Sequence, residues 1–106
     1  MLDRNIQSGL SIAAAAGRLV GGADQIVDAL SNNQIIALAF ANDAAERTRR
    51  RLLMNADQRI ETFDLIISSV KLGHLVGKGS RAAVGISAGG HSVWLMKQLH
   101  KRRHIG

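Results

Sequence analysis

The loop of residues 77–81, Gly-Lys-Gly-Ser-Arg, combines two cations with two glycines. Lys78 and Arg81 bring positive charge beside backbone N–H groups, and the glycines allow a ligand to approach that backbone closely. This combination suits a polyanion better than a small uncharged ligand. No acidic residue follows Asp64, so residues 65–106, with seven Lys or Arg, have a net charge of +7 against +6 for the whole chain. The sequence therefore predicts an anionic partner.

A second candidate segment covers residues 21–25, Gly-Gly-Ala-Asp-Gln. Its glycines permit close approach to the backbone, and the first turn of the helix that follows presents free N–H groups. Asp24 and Gln25 can form hydrogen bonds with base edges, which binding of phosphate alone would not need. The alternative is that Asp24 only caps the helix. The sequence leaves both interpretations open.

An enzyme-like pattern, G-x-S-x-G, occurs at residues 85–89 between a predicted strand and a predicted helix, with His91 close by. A Ser hydrolase also needs an acidic residue, and none follows Asp64. The simpler interpretation is a tight strand-to-helix connection with Ser87 or Ser92 near the helix start. We expect no catalytic residue.

Two further motifs are incomplete. Residues 73–80 resemble the end of a P-loop, but the spacing is one residue short and Gly79 stands where the magnesium-binding hydroxyl should be. His100 and His104 have a metal-capable spacing, but residues 101–103 are all cationic and would oppose a metal ion. We therefore expect no metal, no cofactor and no small-molecule substrate.

The run of residues 47–51, Arg-Thr-Arg-Arg-Arg, has two possible roles. It can be the solvated face of a helix, with Arg50 reaching back to Glu46, or it can contact phosphate directly. The solvated face is the commoner use of such a charge run.

Composition limits the remaining possibilities. A chain of 106 residues with 46% hydrophobic residues fits one globular domain, residues 1–106. One Trp, two Phe and no Tyr argue against a base-stacking platform, and the absence of Cys is compatible with a reducing cytoplasm. The longest apolar run, residues 35–41, is far shorter than the ~20 residues that a membrane span requires. We expect a cytoplasmic protein with no membrane partner.

Helical and strand patterns alternate along the chain. Apolar spacing, glycines and capping residues predict helices over about 4–16, 23–30, 44–55, 68–76 and from 90 onward, and strands over 19–20, 35–40, 60–66 and 81–86. Asp43 followed by Glu46 is typical of a capping box, and residues 101–106 are expected to fray. The alternation predicts an α/β protein, a three-layer α/β/α sandwich around a mixed four-stranded sheet.

Several of these segments, in this order and spacing, resemble the kink-turn RNA-binding ribosomal protein superfamily, especially its YlxQ-like bacterial branch. The resemblance covers about residues 5–99. It is carried by Gly17-Arg18-Leu19-Val20, Gly22, residues 36–40, Asn42-Asp43-Ala44-Ala45 with Thr48, Leu72-Gly73, Gly77-Lys78 and residues 81–86.

The resemblance implies binding of structured RNA without catalysis, in translation or ribosome assembly, with ribosomal RNA as the expected partner and a ribosomal protein or translation factor as a possible one. In the family, the turn that opens the second helix reads tandem sheared G·A pairs, and the loop before the last strand covers a flipped-out nucleotide. Carried over by position, and with one cation of the last helix added, the expected RNA-binding residues are Gly22, Ala23, Asp24, Gln25, Gly77, Lys78, Gly79, Ser80, Arg81 and Lys97.

The chain departs from the ribosomal pattern at the reading positions. That pattern has Asn-Glu there and a Lys further along the helix, whereas this chain has Asp24, Gln25 and Asp28. An ionised Asp24 can only accept hydrogen bonds. The same fold also serves as a protein-interaction module in stress-response relatives, so a protein partner is the alternative function. YlxQ-like domains sometimes follow a separate basic domain, so the resemblance leaves open that the chain is the C-terminal part of a longer polypeptide.

Overall fold

The computed structural model describes the backbone of residues 4–105 and the side chains of residues 4–101. Helices and strands alternate in the order α1 Arg4–Ala15, β1 Leu19–Gly21, α2 Ala23–Ser31, β2 Ala37–Phe40, α3 Glu46–Asn55, β3 Glu61–Asp64, α4 Ser69–Leu75, β4 Ala83–Ile86 and α5 Gly90–Ile105. Among the described residues, no helix is both long and apolar enough to cross a membrane.

The four strands form one mixed sheet in the order β1-β4-β2-β3. Strand β2 is parallel to β3 and antiparallel to β4, and β1 is antiparallel to β4. Phe40 at the end of β2 is opposite Ala83 at the start of β4. Gly21 at the end of β1 is opposite Val84. The two predicted binding segments, which follow β1 and precede β4, therefore meet at the same end of the sheet.

Two apolar clusters cover the two faces of the sheet. One cluster joins α1, α4 and α5 to the sheet and includes Ile6, Leu10 and Ala13, which recur at helical spacing. The other joins α2 and α3 and includes Ile26 and Leu52. The predicted three-layer α/β/α sandwich is confirmed.

The predicted capping box at Asp43 is wrong. Helix α3 begins at Glu46, its N-cap is Ala45, and no side chain caps it. The Asp43 carboxylate instead accepts hydrogen bonds from the backbone N and the Oγ of Ser69, at 2.7 and 2.6 Å. These hydrogen bonds lower the pKa of Asp43, because they favour the charged carboxylate. Ser68 caps α4 as predicted, accepting from the backbone N of Lys71 at 3.1 Å.

Several predicted boundaries also shift. Strand β4 begins at Ala83 rather than Arg81, because the Arg81 backbone N donates to the Ser69 carbonyl instead of to a strand. Strand β2 begins at Ala37, two residues later than predicted, and β3 is limited to Glu61–Asp64.

Helix α5 continues to Ile105, so the predicted fraying from residue 101 is wrong up to that point; Gly106 lies outside the described residues. His100 holds the helix against β3. Its Nε2 is 2.6 Å from Glu61 Oε2, and its ring centroid is 5.7 Å from that of Phe63.

Candidate nucleic-acid interface

A cleft of about 230 Å³ lies where α2, α3 and the loop before β4 converge. Its walls combine apolar side chains with the Arg81 cation and two hydroxyl groups. The lining residues are Gly22, Ala23, Ile26, Thr48, Leu52, Ser80, Arg81, Ala82 and Ala83. Both segments predicted from the sequence contribute to it, although they are more than fifty residues apart in the chain.

The first wall is the start of α2. Gly22 is the N-cap, with φ 87° and ψ 131°, and no side chain forms a cap hydrogen bond. A side chain at this positive φ would be strained, and a Cβ here would collide with Oε1 of Gln25, which folds back over the turn. The interpretation of Asp24 as a cap is therefore wrong. Its Oδ1 is 2.7 Å from Nη2 of Arg51 on α3.

The second wall is the loop after α4, which is folded more tightly than its glycines suggest. Gly77, at φ 72°, donates its N–H to the His74 carbonyl at 3.2 Å, and Lys78 donates its N–H to the Gly73 carbonyl at 2.8 Å. This pair of hydrogen bonds is a Schellman motif. The N–H groups of Gly77 and Lys78 are therefore used inside the loop, whereas the Lys78 side chain is exposed.

Close backbone packing fixes the rest of this loop. A Cβ on Gly73 would overlap the Gly79 carbonyl oxygen, so residue 73 has no room for a side chain. At the end of the loop, the Arg81 N–H donates to the Ser69 carbonyl at 2.9 Å. The loop is therefore attached to α4 at both its ends.

The Arg81 side chain bridges the two walls. It lies so close to β1 that a Cβ on Gly21 would be 2.7 Å from Arg81 Nε. Its Nη1 donates to the Ser80 carbonyl at 3.1 Å, whereas its Nε is buried and has no hydrogen-bond partner among the described residues. The Arg81 guanidinium is therefore held between β1 and the Ser80 carbonyl.

Other predicted residues lie at different distances from the cleft. Asp24, Gln25, Lys78 and Gly79 are exposed close to its lining residues in sequence. Lys97 is exposed on α5, in the opposite helical layer, and does not line the cleft.

Sequence reasoning missed the third wall. Thr48 and Leu52 of α3 line the cleft, and Arg51 pairs with Asp24 across the two helices. In the sequence, Thr48 stands out only as one of the residues that carry the family resemblance. The i,i+4 spacing of Thr48 and Leu52 shows that they share one helix face, but the sequence does not indicate that this face meets α2.

The enzyme-like and metal-like motifs have structural partners. Ser87 donates its N–H to the Arg18 carbonyl at 2.9 Å. Ser92 is buried, and its Oγ donates to the carbonyls of Ser87 and Gly89 at 2.6 and 3.0 Å. Within the described residues, no group of three His, Cys, Asp or Glu side chains comes together as a metal site would require. The side chain of His104 lies outside the described residues.

Comparisons with known proteins place this fold among solved structures. No protein-family model and no curated protein sequence matches the chain. A protein of unknown function from Bacillus halodurans C is 27% identical with a TM-score of 0.79, and the match covers 92% of this chain and 99% of that one. The Giardia lamblia 15.5kD RNA binding protein is 12% identical with a TM-score of 0.72, and the match covers 96% of this chain and 88% of that one. This chain therefore has the same fold as a known RNA-binding protein.

Proposed function

We propose that this protein binds structured RNA, without catalysis, at the cleft between the start of α2 and the loop before β4. The observation that carries the proposal is the convergence of the two segments on one cleft, with Arg81 bridging them. A nucleotide needs this combination, because its base is bound by apolar surfaces and hydrogen bonds, and its phosphate by hydrogen-bond donors and cations.

Charge supports the same partner. The chain has a net charge of +6, and no acidic residue follows Asp64. The loop before β4 therefore has no acidic neighbour in sequence; its Arg81 lines the cleft, and its Lys78 is exposed. Such a distribution attracts a polyanion over distances of about the Debye length, ~8–10 Å. The shared fold with the Giardia RNA-binding protein points in the same direction.

The cleft suits an unstacked nucleotide. Ile26 and Leu52 line the cleft from the buried core, while the less buried Thr48 and Arg81 provide hydrogen-bonding groups for a nucleotide. We infer that a flipped-out nucleotide of a kinked or ribosomal RNA enters here, with Asp24 accepting hydrogen bonds from base amino groups. A role in translation or ribosome assembly would follow from such an RNA.

The test is binding of a labelled kink-turn stem, and of the same stem with its G·A pairs replaced, from about 50 to about 200 mM salt. Arg81→Gln should weaken binding and lower the salt slope by about 1. Arg59→Gln is the matched control. Arg59, an exposed arginine paired with Asp57 at 3.0 Å, precedes β3 at the opposite end of the sheet, so the same loss of one positive charge falls away from the cleft.

Tight binding to the kinked stem alone would support specific recognition of the G·A pairs. Equal, salt-sensitive binding to both stems would support structured-RNA binding without that specificity. An Arg81→Gln protein that binds as well as the Arg59→Gln protein would refute the cleft assignment. If neither stem bound at low salt, the protein-interaction alternative would replace RNA binding.

A further inference from the structure

The four arginines of α3 fall into two groups. Arg49 is anchored to the molecule, because its Nη1 is 2.5 Å from Asp64 Oδ1 and its guanidinium lies 4.5 Å from the centre of the Phe40 ring. The other three are exposed and line a surface depression of about 360 Å³ together with Glu46, Met54 and Asn55; they are Arg47, Arg50 and Arg51. The exposed face of α3 is thus strongly cationic.

This basic face adjoins the cleft. Thr48 and Leu52 line the cleft, and the residues that precede each of them, Arg47 and Arg51, form the neighbouring i,i+4 row. Side chains in such a row are about 5–6 Å apart at Cβ. An RNA strand that leaves the cleft across α3 would therefore meet the side chains of Arg47 and Arg51 first.

The acidic partners of these arginines hold them weakly. The Arg51–Asp24 pair is 2.7 Å long, but its side chains are 49% and 88% exposed. The Arg50–Glu46 pair is longer, 3.8 Å, and both its side chains are more than two-thirds exposed. Exposed ion pairs of this kind contribute little to stability. Arginine binds phosphate with two parallel hydrogen bonds, so a phosphate can compete with such carboxylates.

We propose that Arg47, Arg50 and Arg51 form a second RNA-contacting surface, which binds the phosphates flanking the cleft, and that Arg51 exchanges Asp24 for a phosphate when RNA binds. The proposal rests on RNA binding at the cleft and extends it across α3. In the free protein, the Arg51 guanidinium neutralises the charge of the Asp24 carboxylate, which would otherwise repel the phosphates of an approaching RNA. In the complex, the released carboxylate is available to accept hydrogen bonds from a base.

A double-mutant cycle tests the exchange. The four proteins are wild type, Arg51→Gln, Asp24→Asn and the double variant, each titrated with the labelled kink-turn stem from about 50 to about 200 mM salt. All the substituted side chains are exposed, and circular dichroism verifies that the fold is unchanged.

The expected result is that Arg51→Gln lowers the salt slope by about 1 in both backgrounds, because a phosphate contact is lost whether or not residue 24 is charged. Asp24→Asn alone should strengthen binding of the stem with replaced G·A pairs, because it frees Arg51. A variant with both Arg47→Gln and Arg50→Gln should lower the slope by about 2, while Arg59→Gln leaves it unchanged.

Loss of the Arg51→Gln effect in the Asp24→Asn background would refute the exchange, because Arg51 would then act only by neutralising Asp24. A slope unchanged in every α3 variant but lowered by Arg81→Gln would refute the surface on α3 while RNA binding at the cleft stands. Absence of binding by the wild-type protein would refute RNA binding itself.

Discussion

Replacing Gly73 by Ala tests whether the loop before β4 is held by backbone packing. Gly73 lies within α4, where Gly→Ala normally stabilises a helix by about 1 kcal/mol. Here the new Cβ would overlap the Gly79 carbonyl oxygen and lie 2.6 Å from its carbonyl carbon. Overpacking of this kind costs about 1–3 kcal/mol. The opposed loop cannot retreat freely, because backbone hydrogen bonds from Lys78 and Arg81 attach it to α4.

The overpacking cost less the gain in helix propensity leaves a net loss of up to about 2 kcal/mol in the free energy of unfolding. For a domain of about 100 residues, a loss of about 2 kcal/mol corresponds to a decrease in Tm of roughly 8–16 °C. Urea denaturation followed by circular dichroism measures the free energy. The matched control is Gly79→Ala, because a Cβ on Gly79 has no neighbour within 4 Å.

Gly79→Ala should be neutral, or stabilising by up to about 1 kcal/mol through the unfolded state. A Gly73→Ala protein at least as stable as wild type would refute the packing argument, since helix propensity would then dominate. If the argument holds, the displaced loop should also weaken RNA binding in Gly73→Ala.

Three other substitutions test contacts that stabilise the fold. Hydrogen bonds from Ser69 lower the pKa of Asp43 below its ordinary value of 3.8, so their stabilisation is present above about pH 4 and is lost as the pH falls through the lowered pKa. Asp43→Asn should therefore reduce the free energy of unfolding at pH 7. The difference from wild type should vanish at the acid end of a pH series. Ser92→Ala should cost about 0.5–1.5 kcal/mol in urea denaturation, because the Ser87 carbonyl loses the hydroxyl donor of the buried Ser92 side chain; an unchanged midpoint would contradict this. Leu10→Ala should cost about 2–5 kcal/mol, because Leu10 is fully buried beneath α5 and the sheet; a smaller thermal shift than for Ser92→Ala would argue against α1 as a core element.

Local patterns determined the elements and their faces. The apolar spacing of α1 predicted which of its side chains are buried, and the short apolar run at β2 predicted a strand covered on both faces; Ala37 through Phe40 are all buried. These patterns succeed because the periods of helix and strand are local properties of the backbone. The sequence likewise singled out the two segments that contribute to the cleft, because glycines and polar or charged side chains at a turn have a local physical meaning.

Contacts between distant residues were beyond the sequence. By sequence, the carboxylate of Asp43 could cap the nearby start of α3 or pair with a distant residue. The packing of α4 beside the end of β2 decided for the distant partner, Ser69. Asp24 was equally ambiguous until α3 placed Arg51 beside it. Side-chain pairing of this kind depends on which helix faces meet, and no periodicity encodes that choice.

By itself, the sequence determined an alternating α/β domain, a cationic C-terminal part and two glycine-containing polar turns. The tertiary structure alone decided that these turns share one cleft, because the strand order β1-β4-β2-β3 places the end of β1 beside the start of β4. It also decided that α3 forms the third wall, with Thr48 in the cleft and Arg51 on Asp24. Strand order follows from burying both faces of the sheet at once, a property of the whole chain that no single segment carries.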